Sequence, residues 1–246
     1  MNVFEAGKVL LINKPYRWTS FDAVNKIKWA IKKKYAVHGR HAAESEENPK
    51  SQIPSPKLKI GHAGTLDPLA TGLLIICTGK ETKNIEKYQA QEKEYTGTFF
   101  LGATTPCYDL EKPVDKTFPT AHITQDMIFA AAKKFTGPQL QTPPIFSAVK
   151  VKGKRAYDIA RSGKTAEISP KEILISRFEI TRIAMPEVDF RVVCSKGTYI
   201  RALARDLGEA LGSGAYLAAL CRTRIGDFKL EDAMTIEEFL GTLEQK

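Results

Sequence analysis

Asp67 stands in the run Gly61 to Leu74, GHAGTLDPLATGLL, as a lone carboxylate with almost no other charge around it. A carboxylate so isolated can serve as a nucleophile or a proton acceptor. The Gly, Thr and Pro residues beside it make a stiff loop whose backbone N–H groups are free to point at a ligand. Leu73 to Cys77 reads as a buried strand, which anchors that loop on a sheet. Asp before Pro also caps turn backbones, so the pattern by itself fits an ordered turn as well as a catalytic acid.

The elements that must position this loop follow from the apolar periodicity. Val9 to Ile12 is a short buried strand, and Asn13 to Thr19 a loop. Ser20 is the expected N-cap of a helix whose core face is Phe21, Val24, Ile27 and Ile31, and whose end is Lys32, Lys33 and Lys34. Lysines there complement the helix dipole, so RNA need not be invoked for them. The stretch 38–57 shifts to Glu, Ser, Asn, Pro and Lys and reads as a flexible insertion. Glu94 to Thr104 alternates like a strand, and Thr124 caps a helix Gln125 to Phe135 that Gly137 stops. Gln139 to Lys154, rich in Pro and Lys, suits a loop that orders against a partner, and a short helix over Ala156 to Arg161 follows. Strands near Ile173 to Ala184 and Val188 to Ser195 lead into a helix from Thr198 to Leu211. There Ile200, Leu203, Leu207 and Leu211 form the core stripe, with Arg201 and Arg205 one turn apart beside it. An arginine so near a buried stripe wants an anion. Several strands follow one another without a βαβ beat, which predicts an α+β fold with a mixed, mainly antiparallel sheet flanked by helices.

Composition narrows the function. The net charge of +9 favours a polyanionic partner, nucleic acid first. No apolar run approaches the ~20 residues of a membrane helix, and Met1 to Lys8 lacks the features of a secretory signal, so a cytoplasmic location is expected. Cys77, Cys107, Cys194 and Cys221 have no metal or disulfide spacing, and His38, His41, His62 and His122 do not pair with them; no metal is expected. Gly72 to Lys80 misses the P-loop spacing, and neither G-x-G-x-x-G nor G-x-S-x-G occurs. What is left is a cofactor-free enzyme built on one aspartate, with a basic surface.

At this point the residues match a family. GHAGTLDPLATGLL resembles the signature of the bacterial tRNA pseudouridine-55 synthases, the TruB family, and three further segments agree in order: Lys14, Pro15, Thr19 and Ser20 in KPYRWTS; Pro143 to Tyr157; and Cys194 to Leu211, CSKGTYIRALARDLGEAL. The resemblance runs from about Val9 to Phe228 and implies the pseudouridine synthase fold, with the catalytic loop on the sheet and a mobile thumb loop over 138–165. It implies an enzyme, an isomerase that needs no cofactor and acts on the T-arm of tRNA at position 55; no protein partner is implied. Two alternatives are a pseudouridine synthase for another RNA and an RNA-binding or tRNA-folding protein.

By that resemblance Asp67 is the nucleophile, Arg201 its cationic partner, and Tyr95 in KEYTG the ring that stacks on the base and takes the released proton. His62, Tyr199 and Leu220 would contact the target nucleotide, and Lys14, Lys150 and Arg155 the RNA, with Lys152, Lys154 and Arg161 as further phosphate contacts. A target uridine inside folded tRNA must be flipped out of its stack, at a cost of a few kcal/mol. Two departures stand out. Family members commonly continue into a small RNA-binding PUA domain, whereas here a single catalytic domain over 1–246 is expected, closing on a short helix near Ile236 to Leu240. The 38–57 insertion is also longer than usual.

Overall fold

The computed structural model describes residues 2–41, 58–147, 149–151, 153–156, 159 and 168–244, with the side chains of 36–41, 150, 151, 154 and 155 left aside. The strands are β1 (Val9–Lys14), β2 (Ile60–His62), β3 (Ala70–Thr78), β4 (Lys93–Leu101), β5 (Ala103–Thr104), β6 (Lys116–Thr117), β7 (Gly137–Gln141), β8 (Lys150–Val151), β9 (Lys154–Arg155), β10 (Lys171–Ala184), β11 (Glu187–Cys194), β12 (Ala215–Ile225) and β13 (Phe228–Lys229). The helices among the described residues are α1 (Val3–Ala6), α2 (Ser20–His41), α3 (Ile85–Ala90), α4 (Gln125–Lys134), α5 (Ile200–Ala210) and α6 (Ile236–Glu244). The fold is α+β as expected. The chain divides into two compact units, Met1–Ala90 with Thr223–Lys246, and Gln91–Arg222.

In the first unit β1 and β2 both pair antiparallel with β3. Leu73, Leu74, Ile75, Ile76 and Cys77 have no exposed surface, which is why their run reads as continuous apolar sequence rather than alternation. One cluster packs Ile12, Leu74 and Ile76 against Ala23, Val24, Ile27 and Ile31 of α2 and Ile236, Phe239 and Leu243 of α6. Helix α6 begins with a reciprocal cap between Thr235 and Glu238.

Three expectations about α2 need correction, the first being that Phe21 is not part of its core face, which Ala23, Val24, Ile27 and Ile31 form, but is 66% exposed. The helix runs to His41, not to Lys34, so the first four residues of the stretch read as an insertion are helical; 42–57 lie outside the described residues. Its cap is Thr19 rather than Ser20: the Asp22 carboxylate accepts from the Thr19 N–H at 2.8 Å and from its hydroxyl at 2.6 Å, while the Asp22 N–H donates to Thr19 Oγ1 at 3.0 Å. The hydrogen bonds from Thr19 hold the Asp22 carboxyl below its usual range.

In the second unit the strand order is β12-β4-β11-β10-β7, with β11 antiparallel to β4 and β10, and β10 antiparallel to β7. Phe99 stacks on Phe190 at 4.0 Å between ring centres, and Phe178 meets both edge-on. Gly97 on β4 is required by close approach: a Cβ there would lie 2.3 Å from the carbonyl oxygen of Ala219 on β12. In α5 the whole expected stripe of Ile200, Leu203, Leu207 and Leu211 is buried.

Candidate active site

The first unit holds the Asp67 loop rigidly through groups that are distant in sequence. The Ser20 hydroxyl accepts from the Leu66 N–H at 2.8 Å and donates to the Leu66 carbonyl at 3.1 Å, closing a two-way clamp one residue before Asp67. The Arg17 N–H donates to the Pro68 carbonyl at 2.9 Å, and the Ala70 N–H to the Asp67 carbonyl at 3.1 Å, so Asp67 opens a turn with Pro at its second position. Gly64, at φ 99°, makes the preceding bend that L side chains resist.

Lys14, expected to touch RNA, has no exposed surface, and its ammonium donates to the carbonyls of Pro15 at 3.0 Å, Trp18 at 2.5 Å and Pro68 at 3.4 Å. It ties KPYRWTS to the Asp67 loop, so its place is beneath the loop and not on the RNA-facing surface. His62 sits at the end of β2 opposite Ile76 of β3 and is partly exposed.

The second unit carries the other candidates. Tyr95 is buried on β4 opposite Val192 of β11. Lys93 lies two residues before it, on the same face of the strand. Burial first, and then the neighbouring Arg222 charge, push the Lys93 ammonium down to about 8. A lysine lowered on folding penalises the native state below about pH 8, and the penalty fades as pH rises toward the ordinary value of 10.5. In urea titrations the stability of the wild type relative to Lys93→Met is therefore expected to rise between pH 7 and pH 10; a flat difference would mean that Lys93 is not charged at a cost.

Arg201 enters in the first turn of α5 and is buried. Its Nη1 donates to the Cys107 carbonyl at 3.1 Å, its Nη2 to the Phe146 carbonyl at 3.0 Å, and its Nε lies 3.5 Å from Asp109 Oδ2. Asp109 is itself buried, and its Oδ1 accepts from the Glu111 N–H at 3.0 Å and the Cys107 thiol at 3.0 Å. Sequence reasoning passed over this carboxylate because nothing in TPCYDLEK, ninety-odd positions from Arg201, distinguishes it from a turn residue. The left-handed φ of 63° at Tyr108 could have been a clue only after folding.

Tyr199 is the residue before α5, and Gln141 of β7 clamps its backbone, accepting from its N–H at 2.8 Å and donating to its carbonyl at 3.2 Å. Leu220 lies partly exposed on β12. Lys150 and Arg155 occupy paired positions of the β8–β9 hairpin, turned at Gly153 with φ 83°. Their side chains, and Lys152 and Arg161 altogether, lie outside the described residues, as does much of the thumb-like stretch 138–165.

Burial pushes the Cys77 thiol up to about 11 and the Cys194 thiol up to about 12, so both are protonated at neutral pH and pack as small apolar groups. Carboxylate, phenol and guanidinium chemistry is what these elements display.

The scaffold is the pseudouridine synthase fold. The chain matches a solved Cbf5-Nop10-Gar1 complex with a TM-score of 0.67 and 28% identity, over 97% of this chain and 54% of that one. It also matches an H/ACA RNP bound to a substrate RNA containing 2′-deoxyuridine with a TM-score of 0.63 and 25% identity, over 97% and 53%. It spans about half the length of both of those chains. The family model described as TruB family pseudouridylate synthase, N terminal domain, matches residues 52–200, and that described as tRNA pseudouridylate synthase B C-terminal domain matches 201–246. Relatives named tRNA pseudouridine synthase B are 52% identical over 243 residues in Phocaeicola vulgatus, covering 99% of this chain and 96% of that protein, and 54% identical over 238 residues in Flavobacterium johnsoniae, covering 97% and 96%. The chain belongs to the TruB family of pseudouridylate synthases and is an isomerase.

Proposed function

We propose that this chain converts uridine 55 in the T-loop of tRNA to pseudouridine, in the cytoplasm, with Asp67 as nucleophile. The reaction breaks the C1′–N1 bond, rotates the base within the pocket and forms a C1′–C5 bond with release of Asp67; the proton lost from C5 is balanced by one taken up at N1. It is redox-neutral and consumes no co-reactant, so positioning and charge are what the protein must supply. The observation that carries the reading is the Asp67 loop: its backbone is fixed by Ser20, Arg17 and the loop's own turn, which presents a carboxylate on a support with little freedom to relax.

The other roles are those that the family resemblance implies. Tyr95 stacks on the base and accepts the C5 proton, Arg201 balances charge on Asp67, and His62, Tyr199 and Leu220 line the nucleotide's place. Lys150 and Arg155, at one end of a two-residue hairpin, take phosphates of the T-arm. Lys14 acts by bracing the loop.

Incubation with an unmodified tRNA transcript, followed by mapping of pseudouridine at every uridine, tests this reading. Conversion at position 55 alone is expected, and a T-arm hairpin should react at a rate comparable to whole tRNA. Conversion elsewhere with position 55 untouched would replace the substrate assignment.

A further inference from the structure

We infer that helix α2 carries a second RNA-contacting surface, centred on Trp29, which binds a strand leading away from the target uridine. The inference rests on the reading of RNA as substrate. Trp29 is 59% exposed and Phe21, two turns before it, is 66% exposed, on a helix whose opposite face of Ala23, Val24, Ile27, Ala30 and Ile31 is buried. Two large aromatic rings thus stand open on the solvent side of a helix whose other side is packed.

The surroundings of Trp29 say which partner. Its neighbours at i−3, i+3 and i+4 are Lys26, Lys32 and Lys33, and the ammonium groups of Lys26 and Lys33 lie 5.8 and 5.1 Å from the ring centre. No carboxylate occurs from Asn25 to Tyr35, and Asp22 is engaged by its cap with Thr19. An apolar protein face laid over this ring would strip water from several ammonium groups and offer nothing in return. A nucleic acid strand brings a flat base for the ring and an anion for each flanking lysine, the pairing that single-strand binders use.

The surface also connects to the catalytic loop. Tyr16, half exposed, carries the Arg17 guanidinium 5.7 Å from its ring centre, and the Arg17 N–H holds the Pro68 carbonyl beside Asp67. From Phe21 to Trp29 the helix rises about 12 Å, the length of about three to four nucleotides of a stacked strand. Tyr16, Phe21 and Trp29 thus mark a course that starts at the Asp67 loop and leaves it along α2.

The test compares Trp29→Ala, Trp29→Phe and the double variant Lys26→Gln/Lys33→Gln with the wild type, on an unmodified tRNA transcript and a T-arm hairpin, by equilibrium binding and steady-state turnover. Trp29→Ala is expected to raise Kd and KM about tenfold, the loss of one base stack, whereas Trp29→Phe should retain most of the affinity. The double lysine variant should lower the slope of log affinity against log salt by about 1 to 2. Wild-type turnover on the same tRNA reports separately on the substrate: turnover together with unchanged affinity in Trp29→Ala overturns the surface alone, and no wild-type binding or turnover overturns both readings. Unchanged RNA affinity with a self-association that Trp29→Ala abolishes would give the face to a second copy of the chain, which also overturns the inference.

Discussion

Asp67→Asn is expected to remove pseudouridine formation, with the single-turnover rate at saturating tRNA falling by ~10⁴-fold or more, since the proposed nucleophile is gone and not merely misplaced. The amide keeps the volume of the carboxylate and loses its charge. The clamp of Ser20 on Leu66, the Arg17 tie to Pro68 and the Ala70 bond to the Asp67 carbonyl all run through atoms that asparagine leaves in place. An affinity carried by phosphate contacts should therefore stay near the wild-type value. Substantial residual turnover in this variant would mean that another group attacks, and the assignment of Asp67 would fall.

Arg201→Met carries the second largest effect. The chemical step should slow by ~10² to 10³, the usual cost of losing one fixed charge stabiliser. Arg201→Lys should recover only part of it, because one ammonium cannot reach the Cys107 and Phe146 carbonyls and Asp109 together as the planar fork does. The Met variant also leaves the buried Asp109 carboxylate without the cation beside it. A fall in melting temperature is expected with it, about 3 to 5 kcal/mol being typical for one partner removed from a buried pair. Asp109→Asn unbalances the pair from the other side: it keeps an acceptor toward Glu111 and Cys107 but leaves the buried Arg201 guanidinium without its carboxylate, so a fall in melting temperature is expected here too, while the chemical step, with Arg201 still present, should slow less than in Arg201→Met. If Arg201→Met weakened tRNA binding and left the saturated rate unchanged, Arg201 would be a phosphate contact, and Asp67 would need another source of balance.

The extent to which these residues were legible beforehand differs for definite reasons. Leu73 to Cys77 and the stripe Ile200, Leu203, Leu207 and Leu211 were readable because burial imposes a period on sequence, and both are buried in the structure. The cap of α2 was misplaced by one residue because Thr19 and Ser20 have the same capping chemistry. Only the fold reveals that Thr19 pairs with Asp22, while Ser20 turns inward to Leu66. The end of α2 was misjudged because a polar sequence after Lys34 argues against a core, not against a helix.

The sequence by itself determined which chemistry is on offer: one isolated acid in a stiff loop, a basic surface, and no phosphate loop, serine elbow or metal spacing, because those properties reside in residue types and short separations. Tertiary structure decided what each group is held by. Lys14 looks like an RNA contact and is instead a fully buried tie beneath the Asp67 loop, and Arg201 meets Asp109, Cys107 and Phe146 across separations of 55 to 94 residues. Gln141 grips the start of α5 from 58 residues away. A buried cation must find its acceptors, but hydrogen bonds reach only about 3 Å, and which distant backbone carbonyl or carboxylate comes within that reach is fixed by packing alone.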